Sequence, residues 1–552
     1  MRKKIQLIIG ITICLAIAVS AYLWATNMMQ SLYLYRSPLS RTPPAPGETT
    51  GSSVTAKVVI ILVDALRVDT AFNSDIMPSL IKLRNNAAWG TMHSQPPSYS
   101  EPGWTTLLTG AWPDISDGPA MNLDYANIYP FTQDNIFSAA HRLGLKTAIS
   151  GYYWFEKMLP QGSTDNSFYT EEEDNLADQQ VVNAALPWLM DDQISLLLIH
   201  IDQVDYAGHH EGGPRSINWE EAAKRADTLI NSIVSQLDLN KATVIIVSDH
   251  GQIDSGGHGG QETIVLTEPF LLVGNSITPG QYPDIQMVDI APTISVLLGL
   301  NIPATNQGRP LLNMITLGKD KTSLVNIALS NQQDQLLKIY LDAIGQKEKL
   351  LDGQNIVSAT QNSILSARNT RLTSERLKRG LIAIILLGMC LFLVIQRQTR
   401  KTIVFYLLIG IIYSLIFNVR YALLDQHPYS LSWVPGQKEL VIYIAVTTTI
   451  AYLMCWLMFN LFMKTFTKKP IEAARQTIFL TISTIFIVAI PLYLSFVING
   501  FLVSWTLPDM LSMYLAFVAL LQCMVIAIIG IFLAGLSVPI SFVARRFTGV
   551  TI

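Results

Sequence analysis

The residues best suited to chemistry in this chain are aspartates and histidines that stand directly after short apolar runs. Asp64 follows the run Val58–Val63, and Asp249 and His250 follow a second such run. His258 comes a few positions later in a glycine-rich segment. Carboxylate and imidazole groups without thiolates are typical ligands of zinc, manganese and related ions in open catalytic sites. The pattern therefore predicts a divalent metal site at the ends of these runs.

A second pair of candidate ligands, Asp205 and His209, lies four positions apart in a polar segment. The two side chains can reach one cation if the predicted loop turns at Gly208. Taken singly, an aspartate after a strand is as readily a helix N-cap, and a histidine in a loop is usually structural. Together, three aspartates and three histidines favour a pair of ions, which lie about 3.5–4 Å apart in phosphoryl-transfer enzymes.

A hydroxyl that could serve such a site as nucleophile is that of Ser100, which precedes the sequence Glu-Pro-Gly. Because proline is favoured in the first turn of a helix, Pro102 predicts that a helix begins near Ser100. Metal coordination and the helix N-terminus would activate the hydroxyl, while backbone N–H groups receive anionic oxygens. The alternative is that Ser98 or Ser100 only caps the helix, and the sequence leaves the two interpretations open.

These residues need a scaffold that brings several strand ends together. Between residues 56 and 315, apolar runs of strand length alternate with stretches of helical periodicity. The runs are Val58–Val63, Thr147–Ile149, Ser195–His200, Thr243–Val247 and Phe270–Val273, and two of the helical stretches are Asp134–Leu143 and Trp219–Leu237. The alternation predicts an α/β domain whose mainly parallel sheet is flanked by helices. Ligands of such sheets bind beyond the carboxyl ends of the strands, where the candidate residues lie.

The composition places the chain among membrane proteins rather than soluble enzymes. Of its 552 residues, 50% are hydrophobic and only 14% are charged, and the mean hydropathy is +0.33. The net charge of −3 gives no reason to expect nucleic-acid binding. The four cysteines, Cys14, Cys390, Cys455 and Cys523, all lie in apolar segments, which excludes a thiolate zinc site in the α/β region.

Six apolar segments are long enough, with their flanking residues, to cross a bilayer. They are Ile5–Ala25, Leu381–Ile395, Ile403–Leu423, Leu440–Phe462, Ile478–Ile498 and Leu511–Val538. The small residues from Val19 to Ala21 make a cleaved signal peptide the alternative for the first segment. An uncleaved anchor is favoured, because the apolar run continues through Trp24. The last five segments predict an all-α multi-span transmembrane domain.

Basic residues in the connecting segments indicate an orientation in the membrane. The basic loops and the C-terminus contain Arg397, Arg400, Lys401, Lys464, Lys468, Lys469, Arg475, Arg545 and Arg546. By the positive-inside rule these loops and both termini are predicted to be cytoplasmic, so that the α/β domain is extracytoplasmic. Arg376, Lys378 and Arg379 disagree with this orientation, because they would lie on the outer side.

The predicted organisation has five parts. An N-terminal transmembrane anchor (residues 1–26) is followed by a linker (27–55) and by the α/β domain (56–315). A helical connector (316–379) then leads to a five-helix transmembrane domain (380–552). The alternative for the connector is that it forms the last piece of the globular domain.

Five short motifs occur in an order that is typical of a known family. They are Val63-Asp64, Ser100-Glu-Pro-Gly, Asp205-Tyr-Ala-Gly-His209, Ser248-Asp-His-Gly and Gly257-His258-Gly. In this order they resemble the motifs of the alkaline phosphatase superfamily. The most similar branch is the type I phosphodiesterase and nucleotide pyrophosphatase group, with the ethanolamine phosphate transferases of glycolipid-anchor synthesis.

The resemblance implies an alkaline-phosphatase-like fold and a site with two divalent ions, zinc or alternatively manganese. The residues that match the ligands of one ion are Asp205, His209 and His258. Those that match the ligands of the other ion are Asp64, Ser100, Asp249 and His250. By the same resemblance Ser100 forms a phospho-serine intermediate, which water or an alcohol acceptor resolves, and Asn122 supports the phosphate oxygens.

The chain departs from the family pattern close to the nucleophile. Ser100 replaces the common threonine and keeps the hydroxyl. Glu101 stands where related sequences often have arginine or phenylalanine, so the substrate contacts are expected to differ. Trp104 stands where histidine is frequent. The cysteine that formylglycine-type sulfatases need is absent, which argues against that branch.

The resemblance implies a membrane-bound, metal-dependent phosphodiesterase or phosphotransferase that acts on phosphate esters. Phosphoethanolamine-type transfer to or from a lipid or glycan is one form of this activity. One alternative is a membrane-anchored hydrolase of soluble nucleotides or phosphomonoesters. A second alternative is a non-catalytic transport or assembly protein with a degenerate phosphatase-like domain, although the C-terminal segments have almost none of the charges that transport needs.

Overall fold

The computed structural model describes residues 2–347, 352–395, 400–434 and 437–547. Its strands are β1 (Lys57–Val63), β2 (Ala88–His93), β3 (Lys146–Tyr152), β4 (Asn166–Thr170), β5 (Ile194–Ile201), β6 (Ala242–Val247), β7 (Thr267–Gly274), β8 (Gly280–Gln281) and β9 (Ile285–Gln286). The helices up to the end of the sheet region are α1 (Arg2–Tyr33), α2 (Val68–Ala71), α3 (Pro78–Arg84), α4 (Ser100–Thr109), α5 (Pro113–Ser116), α6 (Ile136–Arg142), α7 (Trp154–Met158), α8 (Asn175–Met190), α9 (Gln203–His210), α10 (Ile217–Val234) and α11 (Ile290–Leu298). The helices that follow are α12 (Lys319–Ala343), α13 (Ile356–Ile395), α14 (Arg400–Asn418), α15 (Gln437–Phe462), α16 (Pro470–Val488), α17 (Ile490–Asn499) and α18 (Met510–Phe547). Arg397, one of the basic residues used to predict the orientation, lies outside the described residues.

The nine strands form one sheet in the order β4-β3-β5-β1-β6-β7-β2-β8, with β9 paired to β2. β1 is parallel to β5 and β6, and β3 and β4 continue the parallel arrangement. β7 runs antiparallel to β6, and β2 runs antiparallel to β7. The prediction of a mainly parallel α/β sheet is confirmed, and each predicted run lies in a strand. The sequence pattern does not predict β2, β4, β8 or β9.

Alternate side chains of β1 enter two hydrophobic cores, one on each face of the sheet. Val58, Ile60 and Leu62 belong to a core that α4, α6 and α11 complete. Val59 and Ile61 belong to the core formed with α3, α8 and α10. Every residue of β1 is buried, which explains why its sequence is continuously apolar rather than alternating.

The register of three neighbouring strands brings their ends to the same edge of the sheet. Val63 of β1 is paired with Ile201 of β5. Leu62 of β1 is paired with Val247 of β6. The residues that follow these strands, Asp64 among them, therefore emerge side by side at the carboxyl edge.

Five helical stretches of the described residues are long and apolar enough to cross a membrane, and they support an integral membrane protein. They are Lys3–Tyr33, Thr402–Leu424, Lys438–Phe462, Pro470–Asn499 and Met510–Arg546. The remaining predicted span, Leu381–Ile395, is the last part of α13. The predicted domain boundary at residue 379 also lies inside this helix, and a sixth span stays a prediction.

Lys3 of α1 and Lys468, which precedes α16, lie at the same end of the membrane-helix bundle. Lys3 of α1 pairs with Glu472 of α16 at 2.8 Å, and the hydroxyl of Ser541 on α18 donates to the carbonyl oxygen of Lys468. Because α1 leads from this end towards the α/β domain, the basic end lies away from that domain. At the other end, Arg379 pairs with Glu375 at 2.6 Å, so that one of the basic residues at odds with the predicted orientation has a carboxylate partner.

Candidate active site

Helix α4 presents the predicted nucleophile at its first residue, Ser100. Tyr99 is the N-cap residue, and its side chain makes no capping bond. Ser98 does not cap the helix either, because its hydroxyl donates to the carbonyl oxygen of Gly260 at 2.9 Å. The hydroxyl oxygen of Ser100 lies 3.3 Å from Nε2 of His250. Neither serine therefore has the capping role that was the alternative interpretation.

The inner cluster consists of Asp64, Ser100, Asp249 and His250, all of which are buried. Nε2 of His250 lies 3.4 Å from Asp64 Oδ1 and 3.5 Å from Asp249 Oδ2. Neither carboxylate oxygen has a hydrogen-bond partner among the described residues. The backbone N–H of Ala65 donates to the other oxygen of Asp249 at 3.2 Å and holds that side chain in place. Ligand atoms of Asp64, Asp249 and His250 lie within 4.8 Å of one another, which is close enough to hold one cation.

The outer cluster consists of Asp205, His209 and His258. The predicted loop turn at Gly208 is wrong, because Asp205 and His209 lie one turn apart on α9, where i,i+4 side chains share a face. Nε2 of His209 lies 3.5 Å from Asp205 Oδ2 and 2.9 Å from Nε2 of His258. The glycine serves close packing instead, since a Cβ at Gly208 would lie 1.9 Å from Gln252 Oε1.

The two clusters adjoin through their histidines. The rings of His250 and His258 are stacked, with a centroid distance of 3.9 Å and an interplanar angle of 14°. Ligand atoms of Asp205, His250 and His258 also lie within 4.8 Å of one another. The fold thus brings together all of the predicted metal ligands, which are distant in sequence.

Burial dominates the electrostatics of the inner cluster. It raises the pKa of Asp249 to about 8, and it raises the pKa of Asp64 well above the usual value, with a further contribution from the charges of Asp249 and Asp205. Burial also lowers the pKa of His250 to about 4, so burial disfavours the charged form of all three side chains. A divalent ion would supply the missing positive charge and would engage the unpartnered oxygens. The residues present therefore fit a metal site.

Two supporting residues were not identified from the sequence. Nε2 of His200, in β5, lies 2.9 Å from Asp64 Oδ2. The side-chain amide of Gln252 donates to Asp205 Oδ1 at 2.8 Å. The signal for His200 is that a polar residue interrupts an otherwise apolar buried strand, whereas Gln252 has no sequence signal because its role depends on where α9 lies.

Two polar residues of the glycine-rich segment act outside the clusters. The hydroxyl of Ser248 donates to the carbonyl oxygen of His250 at 2.8 Å and shapes the end of β6. The carboxylate of Asp254 pairs with Arg67 and Arg215, each at 2.7 Å. Asp254 is therefore a partner of arginines rather than a member of either cluster.

Glu101 and Trp104, two of the residues that depart from the family pattern, are buried beside Ser100. The side-chain oxygen of Asn122 accepts a hydrogen bond from the backbone N–H of Glu101 at 3.1 Å. Burial raises the pKa of the Glu101 carboxyl to about 8. Trp104 stacks on Phe155 with ring centroids 4.2 Å apart, so this position belongs to the hydrophobic core here.

A cavity of about 900 Å³ lies between the α/β domain and the membrane helices. Helices α1, α15 and α18 line most of it with apolar side chains such as Leu440 and Phe517. Polar residues, including Arg36 and Asn122, line the part that borders the α/β domain. Asn122 lines the cavity and also contacts the backbone N–H next to Ser100.

Comparison with known proteins matches the region that contains both clusters. The family model "Type I phosphodiesterase / nucleotide pyrophosphatase" matches residues 58–116 and 127–315. GPI ethanolamine phosphate transferase 2 of Schizosaccharomyces pombe is 28% identical over 377 residues, which are 61% of this chain and 49% of the relative. The catalytic subunit of the Homo sapiens GPI ethanolamine phosphate transferase 2 is 26% identical over 302 residues, which are 50% of this chain and 30% of the relative.

Among solved structures, the wild-type alkaline phosphatase PafA is similar at a TM-score of 0.40 with 12% sequence identity, over 48% of this chain and 99% of that chain. The chain spans less than half the length of the two curated relatives. Over the matched residues, the α/β domain of this chain is similar to the type I phosphodiesterase / nucleotide pyrophosphatase family.

Proposed function

We propose that this protein is a membrane-bound, metal-dependent enzyme that cleaves or transfers phosphate esters through a phospho-serine intermediate. The observation that carries the proposal is the position of Ser100 at the N-terminus of α4, with its hydroxyl 3.3 Å from His250 and inside the inner cluster. The names of the curated relatives favour phosphoethanolamine-type transfer as the form of the reaction.

Two divalent ions, zinc or alternatively manganese, are the proposed cofactors. Asp64, Ser100, Asp249 and His250 would hold one, and Asp205, His209 and His258 would hold the other. When bound, such ions supply positive charge that stabilises phosphoryl oxygens and lowers the pKa of a coordinated hydroxyl. The unpartnered oxygens of Asp64 and Asp249 support this assignment.

The chain itself would supply the nucleophile and hold the phosphoryl group. The Ser100 oxygen loses its proton to water and forms a bond to phosphorus, while the ester P–O bond breaks and the leaving alcohol takes up a proton from water. The amide NH2 of Asn122 would donate to a phosphoryl oxygen, and the bond that its carbonyl oxygen accepts from the Glu101 N–H supports this role. Water or an alcohol then attacks phosphorus and loses its proton to water, while the bond between phosphorus and Ser100 breaks and the Ser100 oxygen takes up a proton from water. Attack by water gives hydrolysis, and attack by an alcohol gives transfer.

A lipid-linked substrate or acceptor is proposed rather than a soluble nucleotide. The cavity between the membrane helices and the α/β domain has a volume of about 900 Å³ and a largely apolar lining, which suits acyl chains better than a base and ribose. Its polar part includes Asn122, beside the nucleophile. A lipid in this cavity would therefore extend its headgroup towards Ser100.

The proposed orientation places the α/β domain outside the cytoplasm and both termini inside, with six spans. The grouping of Lys3, Lys468 and Arg545 at the end of the bundle away from the α/β domain supports this orientation.

The decisive experiment is Ser100→Ala in the full-length protein, with Ser504→Ala as the matched control on an outer loop of the membrane domain. Loss of the nucleophile should lower turnover of an aryl phosphodiester by about 1000-fold or more. Mass spectrometry of membrane lipids and glycans should show one phospho-substituent that disappears with Ser100→Ala and persists with Ser504→Ala. Turnover that survives Ser100→Ala would refute the covalent mechanism, and a protein that binds no zinc or manganese would revive the degenerate-domain alternative.

A bulky substitution in the cavity separates lipid substrates from soluble ones. Val441 lines the cavity, and Val441→Trp should slow turnover of a lipid phosphodiester while leaving that of a small aryl phosphodiester unchanged. Equal turnover of the lipid by both proteins would favour the membrane-anchored hydrolase of soluble esters.

A further inference from the structure

The histidine of the outer cluster that follows β6 lies on a segment that contacts the membrane domain. We name residues 256–262, which include His258, the ligand loop. We name residues 425–434, which follow α14 and the helical segment Val419–Leu424, the docking loop. The two loops come from different parts of the chain and meet in a buried contact beside His258.

One serine makes the central contact between these loops. The backbone N–H of Gly260 donates to the hydroxyl oxygen of Ser432 at 2.9 Å. The same hydroxyl donates to Oε2 of Glu262 at 2.7 Å. Ser432 is 2% exposed, so water does not readily replace either hydrogen bond.

Two glycines of the ligand loop allow this close approach. A Cβ at Gly257 would lie 2.3 Å from the carbonyl oxygen of Ser432, and the backbone φ there is +96°. A Cβ at Gly260 would lie 1.8 Å from Oγ of Ser430. The glycines of this loop therefore fit the membrane domain as well as the metal ligands.

The docking loop is held by contacts within itself and with the helical segment Val419–Leu424 that precedes it. His427 stacks on Trp433 with ring centroids 3.7 Å apart. The hydroxyl of Tyr421 donates to the carbonyl oxygen of Pro428 at 2.9 Å, and the backbone N–H of His427 donates to the carbonyl oxygen of Tyr421 at 3.0 Å. Such a loop can act as a fixed support.

The α/β domain holds the opposite side of the ligand loop. Nδ1 of His258 lies 3.0 Å from the carbonyl oxygen of Ser98. The hydroxyl of Ser98 accepts from the backbone N–H of Gly259 at 3.0 Å and donates to the carbonyl oxygen of Gly260. The backbone on either side of His258 is thus held between Ser98 and Ser432.

We propose that the docking loop is part of the catalytic unit and that Ser432 is a positioning residue, which fixes the ligand loop so that His258 meets Asp205 and His209. The part of this inference that concerns metal binding rests on the proposed function, whereas the part that concerns the contact between the two loops does not. The docking loop also lines the cavity with Leu431 and Val434. One membrane-domain loop would therefore border both the substrate cavity and the outer cluster.

The test compares Ser432→Ala with Ser432→Thr, which keeps a hydroxyl, and with the control Ser504→Ala, all in the full-length protein in detergent. Chelator competition measures zinc affinity, and hydrogen–deuterium exchange measures the amides of residues 257–260. For Ser432→Ala we expect the zinc affinity of the outer cluster, the weaker of the two sites, to fall about 10–100-fold. A loss of this size is typical when a contact that supports a metal ligand is removed. The same variant should exchange hydrogen for deuterium faster at these amides. Ser432→Thr should remain closer to the unchanged protein in both zinc affinity and exchange rate.

Gly260→Ala gives an independent test from the ligand-loop side, because it displaces the loop and leaves every membrane-domain side chain intact. It should weaken zinc binding by the outer cluster and accelerate hydrogen–deuterium exchange of the same amides. If Ser432→Ala and Gly260→Ala both match Ser504→Ala in zinc affinity and exchange, the inference is overturned.

The two proposals fail in different ways. A protein that binds no zinc or manganese contradicts the proposed function, but the exchange measurement still decides whether the docking loop orders the ligand loop. The opposite result is a protein that contains its metal and loses activity with Ser100→Ala, but whose zinc affinity and amide exchange do not change with Ser432→Ala. That result contradicts only the positioning role of Ser432.

Discussion

The inner and outer clusters differ in what surrounds them and in what holds them. The side chains of Asp64 and Asp249 are 1% and 0% exposed, and they lie at strand ends where the sheet sets the backbone. The outer cluster is more open, since the side chain of His209 is 35% exposed. His258 comes from a glycine-rich loop that the membrane domain contacts through Ser432.

The difference indicates that the two clusters depend on different parts of the molecule. Register within one sheet is enough to assemble the carboxylates of the inner cluster, because β1 and β6 are neighbours. The outer cluster needs α9, the ligand loop and the docking loop in their correct relative positions. We therefore expect the inner cluster to bind its ion more tightly and the outer cluster to be the more responsive to changes in the membrane domain.

The largest effect is expected from Asp249→Asn, which removes a charged ligand of the inner cluster. Loss of several kcal/mol of transition-state stabilisation should lower kcat for an aryl phosphodiester by on the order of 1000-fold or more. The measurement is kcat at saturating zinc, and excess zinc should not restore it. A variant with turnover close to that of the unchanged protein would remove the inner cluster from catalysis.

An intermediate effect is expected from His209→Gln, which removes a proposed ligand of the outer cluster. Zinc affinity and turnover at limiting zinc should fall by about 10–100-fold, and excess zinc should restore much of the turnover, because the defect is one of binding. His210→Gln is the matched control, since His210 is the next residue on α9 and is exposed. A loss larger than that of Asp249→Asn would reverse the proposed ranking of the two clusters.

The smallest effect is expected from Arg215→Gln, close to the outer cluster but outside it. Arg215 pairs with Asp254 at 2.7 Å, and the two side chains are 74% and 49% exposed. Exposed ion pairs contribute at most about 1 kcal/mol, so the thermal unfolding midpoint and the zinc affinity should change little. A marked loss of zinc affinity would show that the segment around Asp254 transmits changes to the clusters.

Much of the inner cluster could be predicted from local sequence. Asp64 and Asp249 follow fully apolar runs, and a fully buried parallel strand has that pattern. The local conformation of the outer cluster is harder to predict, because Gly208 suggests a loop turn although it lies within α9. Tertiary packing against Gln252 decides the conformation there, and a glycine alone does not reveal it.

Residues that act through a partner were harder to predict. His200 is a single polar residue in an apolar strand, and its proximity to Asp64 depends on the pairing of β5 with β1. Ser432 lies about 170 positions from the glycines it contacts. Contacts of this range leave no periodic pattern in a sequence, because neither partner has a recurring spacing relative to the other.

The sequence by itself determined the alternation of buried strands and helices, the apolar membrane segments, and the residue types that could bind divalent ions. It could do so because burial and hydrogen bonding impose local periodicities on a chain. Only the tertiary structure decided that the candidate ligands form two adjoining clusters, that Ser100 lies against His250 rather than capping α4, and that a membrane-domain loop contacts the segment that contains His258. These features depend on distances between segments that are far apart in the chain, and packing of the whole molecule sets those distances.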